Sequence, residues 1–186
     1  MKRLVSLVVV VFMLCGCQAD NSELSAVMDF RNRLQQSKGC NFTAKISADY
    51  GSVVYQFTLD CEADQSGNLT FHVIAPDSIS GISGQIDGLG GKMTFDDKML
   101  AFDTMADGQV TPVSAPWVMV KTLLGGYITA AGRDKEDIRA VMNDSYREQA
   151  LEVDVWFDSS VLPKHCEILW QGRRVLSLDV EKFVIL

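Results

Sequence analysis

The chain has 186 residues, of which 47% are hydrophobic and 22% charged, and its 17 Lys and Arg stand against 24 Asp and Glu for a formal net charge of −7. That length supports one domain with a sizeable core and is short for two. The acid excess repels phosphate backbones and anionic headgroups, so nucleic acid is excluded as an expected partner and charge is excluded as the source of any membrane affinity.

The chain opens with Lys2 and Arg3, followed by an apolar run from Leu4 to Leu14 that is about half the length needed to cross a bilayer. A basic start and a short apolar stretch are the pattern of a secretory signal. The run ends in Leu14-Cys15-Gly16-Cys17, where a small residue precedes Cys17 and bulky Leu14 precedes Cys15. This resembles the lipobox of bacterial lipoproteins, which implies cleavage before Cys17, acylation of its thiol, and a membrane tether outside the cytoplasm. Gln18 resembles the outer-membrane sorting pattern for cells that have two membranes. The expected organisation is a leader over 1–16, a lipidated tether over 17–22 and a single domain over 23–186. Loss of the leader takes Lys2 and Arg3 with it and moves the formal charge from −7 to −9.

A helix is expected from Asp20 to Lys38, with Leu24, Val27, Met28 and Leu34 on one stripe and Gly39 as its stop. Next, Phe42, Ala44 and Ile46 alternate with polar residues, Asp49-Tyr50-Gly51-Ser52 forms a turn, and Val53, Tyr55, Phe57 and Leu59 alternate again. A four-residue loop would pair Ala48 with Val53, Ile46 with Tyr55, Ala44 with Phe57 and Phe42 with Leu59. One further step on the same face brings Cys40 opposite Cys61, close enough to expect a disulfide, the alternative being two buried thiols. Cys166 would then be left over.

Further strands follow at Leu69–Ala75, at Ile82–Leu89 with a Gly90-Gly91 turn, at Met93–Phe95 with an Asp96-Asp97 turn, and at Met99–Thr104. Ser114-Ala115-Pro116 reads as a helix start, with Trp117, Val120, Leu124 and Tyr127 at helical spacing until Gly125-Gly126. Arg133 to Asn143 reads as a short charged helix or a surface loop. Strands at Ala150–Phe157, His165–Trp170 and Arg174–Ile185 close the chain, the last two joined so that Ile168 faces Leu176.

Helix, antiparallel meander, helix and more antiparallel strands make an α+β plan, a curved sheet or incomplete barrel wrapped over two or three helices. This order, with Ala75-Pro76-Asp77, the run Ile79-Ser80-Gly81-Ile82-Ser83-Gly84 and the helix from Pro112 to Leu124, resembles the LolA/LolB-type lipoprotein carriers. The resemblance implies an apolar cavity between sheet and helices that takes acyl chains. It transfers no individual site residue.

Catalytic, metal and nucleotide patterns fall short. Gly91-Lys92 lacks the first glycine and the hydroxyl residue of a phosphate loop. Asp60, Glu62 and Asp64 lack the turn glycine and terminal acid of a calcium loop, and read as the wet face of a strand. His72 and His165 have no second ligand at metal spacing, and His165 and Cys166 would point to opposite sides of a strand. No cofactor is expected. The route to a ligand is apolar: Phe42, Tyr55, Phe57, Phe71, Trp117 and Val120 would lie between sheet and helix, each read first as core and together as the possible lining of a cavity. The expected function is a non-enzymatic, membrane-anchored lipoprotein whose domain binds a lipid or an acylated protein. The alternative is an envelope structural or interaction module with a filled core that works through outward-facing Trp156.

Overall fold

The computed structural model describes residues 22–49, 51, 53–96, 98–103, 105–106, 109–148 and 150–186. The expected leader, Cys17 and the expected tether through residue 21 lie outside them. In chain order the elements are α1 (Ser22–Gln36), β1 (Gly39–Asp49), β2 (Val54–Asp64), β3 (Leu69–Ala75), β4 (Ser83–Asp87), β5 (Gly90–Phe95), β6 (Lys98–Phe102), the two-residue β7 (Met105–Ala106) and β8 (Gln109–Val110), a 3-10 turn (Pro112–Ser114) and α2 (Ala115–Gly125). After these come β9 (Tyr127–Asp134), β10 (Asp137–Asn143), β11 (Glu152–Phe157), β12 (Pro163–Trp170) and β13 (Arg173–Ile185).

Eleven strands form one antiparallel sheet in the order β6-β5-β4-β3-β2-β1-β13-β12-β11-β10-β9, and β7 pairs only with β8. Among the described residues the large sheet is open, with β6 and β9 as its edge strands. The plan is the expected α+β one, with two helices among the described residues. Strict alternation explains the sheet: Phe42, Ala44, Ile46 and Ala48 of β1, Leu69, Phe71 and Val73 of β3, and Leu176, Leu178 and Val180 of β13 are buried, with more exposed residues between them. The helices pack on this inner face against β1, β2, β9, β10, β11 and β13.

The core is densest where α1 meets the sheet. Phe30 stands edge-on to Phe157 at 5.2 Å and tilted to Phe183 at 5.9 Å, while Phe183 stacks on Phe42 at 5.5 Å. Polar bonds join α1 to α2. The Arg31 guanidinium donates from Nε to the Leu123 carbonyl (2.8 Å) and from Nη2 to that of Thr122 (3.2 Å), and the Gln35 amide donates to Leu124 O at 2.6 Å. The Thr122 carbonyl also accepts from the Gly126 N–H at 2.7 Å, while those of Leu123 and Leu124 lie in the last turn of α2, where helical partners run out, so α1 caps α2 from outside. Burial lowers the Arg31 pKa from its ordinary value.

Four expectations are corrected. The β1–β2 loop sits one residue later than expected, so Asp49 pairs with Val54 and every partner moves by two: Ala48 faces Tyr55, Ile46 faces Phe57, Ala44 faces Leu59 and Phe42 faces Cys61. The apolar face survives because a two-residue shift preserves the pleat. Residues 133–143 are neither helix nor loop: Arg133 and Asp134 end β9, and Ile138, Ala140 and Met142 of β10 are buried. The intervening turn places Lys135 at φ 58 without glycine or asparagine, so it carries none of the usual hairpin signal. Tyr127 begins β9 instead of ending α2, and Ser114 sits in the 3-10 turn with no side-chain cap bond. Gly90 and Gly91 belong to β5, the turn being Gly88-Leu89, and a Cβ on Gly91 would fall 2.2 Å from the Phe102 ring, so the second glycine serves close packing and not the turn. The terminal hairpin pairs Ile168 with Leu176 as expected.

Candidate ligand-binding face

The register assembles a face that the list of expected lining residues captured only in part. One row of directly opposed residues runs Phe42, Cys61, Phe71, Gly84, Met93, Leu100 across β1 to β6. A second runs Cys40, Ala63, Leu69, Ile86, Gly91, Phe102 over the same strands. Both begin deep in the core. Both lose cover toward β6: Phe71 and Leu69 are buried, Met93 and Phe102 are half-buried, and Leu100 is 62% exposed. Phe95, beside Met93 on the same face of β5, is 52% exposed. The inner face therefore stays apolar for two strands beyond the point where the core covers it.

Of the six expected lining residues, Phe42, Phe71, Trp117 and Val120 are buried in the continuous core, Phe57 is packed partly against it, and Tyr55 is 54% exposed at the start of β2. All but Tyr55 belong to, or pack against, one continuous core between the sheet and the helices. Surface hollows open to solvent lie on the outer face and along the β4–β6 margin, among them one of about 370 Å³ lined by Asn41, Thr43, Asp60, Glu62, Thr70, His72 and Lys182 among others. Sequence reasoning missed Met93, Phe95, Leu100 and Phe102. Their alternation was visible, but on two short strands it does not say which side the helices leave open.

The expected Cys40–Cys61 disulfide is also corrected. Cys40, Cys61 and Cys166 are free and buried. The shifted register pairs Cys40 with Ala63 and Cys61 with Phe42, so the thiols are diagonal instead of opposed. Burial pushes the Cys40 thiol up to about 12 and raises Cys61 and Cys166 as well. Thiolate is the reactive form, so in native protein at pH 8 these three cysteines are expected to resist iodoacetamide. Unfolding without reductant is expected to expose all three to alkylation. Only one modified residue under those conditions would mean that a pair had oxidised.

Trp156 faces outward, as expected. Its indole N–H donates to Asp134 Oδ2 at 2.7 Å, the Arg139 guanidinium lies over its ring at 5.1 Å, and His165 meets it edge-on at 5.2 Å. The residues beside it form a charged ladder across the outer face. Arg139 pairs with Asp154 through Nε (3.1 Å) and Nη2, Arg174 with Glu167 at 2.6 Å, and His165 Nδ1 lies 2.7 Å from Asp179. Asp154 is 1% exposed beneath Arg139. His72 is exposed, 2.8 Å from Ser83 Oγ. Among the described residues no group of three or more His, Cys, Asp or Glu is placed to hold a metal ion, and no helix is long and apolar enough to cross a membrane.

No family model matches this sequence, and no curated protein matches it. Solved structures do resemble the fold over most of its length. An outer membrane lipoprotein-sorting protein domain from Vibrio parahaemolyticus is 8% identical, with 89% of this chain and 92% of that one covered and a TM-score of 0.48. The lipoprotein LppX from Mycobacterium tuberculosis is 12% identical, with 89% and 96% covered and a TM-score of 0.44. A LolA superfamily protein from Nitrosomonas europaea is 8% identical, with 88% and 93% covered and a TM-score of 0.44. LolA superfamily chains are thus among the structures to which this fold is similar.

Proposed function

We propose that the chain is a non-enzymatic lipoprotein, held outside the cytoplasm by acyl chains on Cys17, whose domain takes an apolar ligand along the inner face of β5 and β6. The ligand is a lipid or the acylated end of another protein. One observation carries this reading: the inner-face rows remain apolar at Met93, Phe95, Leu100 and Phe102 after the core has ceased to cover them. An acyl chain laid there would cover those side chains and contribute about 0.8 kcal/mol for each methylene removed from water, before ordering costs. The ligand lies on an open wing of the sheet in this reading, because Phe42, Phe71, Trp117 and Val120 already fill the space under the helices.

Native mass spectrometry of the mature chain carrying Cys17→Ser, after exposure to bacterial lipid extract, tests it. The expected spectrum shows one added lipid per chain, stripped by organic solvent and at least about ten-fold rarer in a Phe95→Asp, Leu100→Asp variant, since a carboxylate against an acyl chain is poorly tolerated. A bare mass under all conditions would leave the filled-core reading, an interaction module acting through its outer face. That second reading draws support from the unbroken core and from the outward placement of Trp156. Detergent partitioning checks the tether separately: the wild-type chain is expected in the detergent phase and Cys17→Ser in the aqueous one.

A further inference from the structure

A hollow on the outer face has an aromatic wall. It holds about 220 Å³, opens to solvent beside the β9–β10 turn, and is lined by Asp134, Lys135, Asp137, Trp156, Lys164 and His165. Register puts the indole there: Trp156 of β11 is directly opposed to Arg139 of β10 on one side and to His165 of β12 on the other, so all three share the outer face. The guanidinium over the ring, the imidazole at its edge and the Asp134 carboxylate on its N–H hold the indole in place before any ligand arrives. Arg139 does not line the hollow, which therefore meets the part of the ring that the guanidinium leaves uncovered. Lys135 lines it from a left-handed backbone (φ 58), where glycine or asparagine would be less strained, and forms no ion pair with a described residue.

The charges of the lining cancel. Asp134 and Asp137 stand against Lys135 and Lys164, two against two, in a chain whose overall balance is −7. A lining without net charge gives neither an anion nor a cation a Coulombic advantage, and its four ionic groups make it a poor seat for hydrocarbon. Asp137 and Lys164 meet at 2.8 Å, yet the carboxylate keeps further acceptor sites and the ammonium further donors. An aromatic face flanked by both acceptors and donors, neutral as a whole, matches a neutral sugar ring, which has a C–H face to lay on an indole and hydroxyls around its rim. We propose that this hollow is a saccharide subsite, in which one ring of a neutral glycan stacks on Trp156 while its hydroxyls donate to Asp134 and Asp137 and accept from Lys135 and Lys164. The subsite lies on the opposite face of the sheet from Met93, Phe95, Leu100 and Phe102, and the inference does not depend on the acyl-ligand reading.

Saturation-transfer NMR on the full mature chain carrying Cys17→Ser tests the assignment, with chitotetraose, cellotetraose and maltotetraose as ligands, each at about 5 mM. At least one of the three is expected to receive saturation, most strongly at the C–H protons of a single ring face. Adding Trp156→Ala is expected to weaken its affinity at least about three-fold, the scale of a lost aromatic contact. Lys135→Gly relieves the left-handed strain, so its Tm is expected to be no lower while its sugar affinity falls at least about two-fold, which separates binding from folding. A neutral ligand also predicts the same affinity at about 50 and about 300 mM salt, and Phe95→Asp with Leu100→Asp is expected to bind sugar as the parent does. No transfer to any of the three tetrasaccharides, affinity unchanged in both Trp156→Ala and Lys135→Gly, or affinity that drops steeply with salt would overturn the subsite, whether or not lipid binds.

Discussion

Phe30→Ala is expected to destabilise the domain by about 3–5 kcal/mol, the range for emptying a large buried aromatic site. Phe30 is fully buried on the face of α1 that also carries Val27 and Leu34, and its ring touches Phe157 of β11 and Phe183 of β13. Removing it leaves a cavity among three elements that are held in register by other contacts and cannot all close in. Urea unfolding followed by circular dichroism reads the effect. With a slope of about 2 kcal/mol/M for a domain of this size, the midpoint should fall by roughly 1.5–2.5 M. A loss below about 1 kcal/mol would mean that α1 does not seat its aromatic face on the sheet.

Arg139→Ala is expected to destabilise the domain by about 2–3 kcal/mol at neutral pH. The Asp154 carboxylate is 1% exposed, Arg139 is its hydrogen-bonding partner through Oδ2, and Oδ1 has none among the described residues. Deleting the guanidinium leaves a charge buried on the outer face of β11 without compensation. Arg139 is itself nearly half exposed, so water can enter where it stood, and the cost falls at or below the lower end of the range for broken buried pairs. Adding Asp154→Leu should recover most of the loss, because the buried charge goes with it. A double variant as unstable as the single one would show that Arg139 acts through packing on Trp156, which it covers at 5.1 Å, and not through the carboxylate.

Much of the fold was legible because most strands alternate cleanly. The pattern Phe42, Ala44, Ile46 placed the buried face of β1 correctly even though the register was off by two, since both registers bury the same residues. The same tolerance made the disulfide expectation fail. A diagonal and a direct pair present identical sequence patterns, and only the position of the loop separates them. The β9–β10 hairpin was missed for the opposite reason: its buried residues Ile138, Ala140 and Met142 sit among charges that decorate its outer face, and its turn uses Lys135 in a left-handed conformation.

The candidate site divides in the same way. Alternation along Met93 to Phe95 and Leu100 to Phe102 is a property of the chain, as are the apolar leader and the Gly16-Cys17 pair from which lipidation is proposed. Which apolar residues stay wet is a property of the assembled molecule. The hydrophobic effect buries whatever surface the packing reaches, and α1 and α2 together reach across β1, β2, β9, β10, β11 and β13. Phe71 and Leu100 lie in one row and look alike in sequence. The first is core and the second is exposed only because the sheet extends further than the core that covers it.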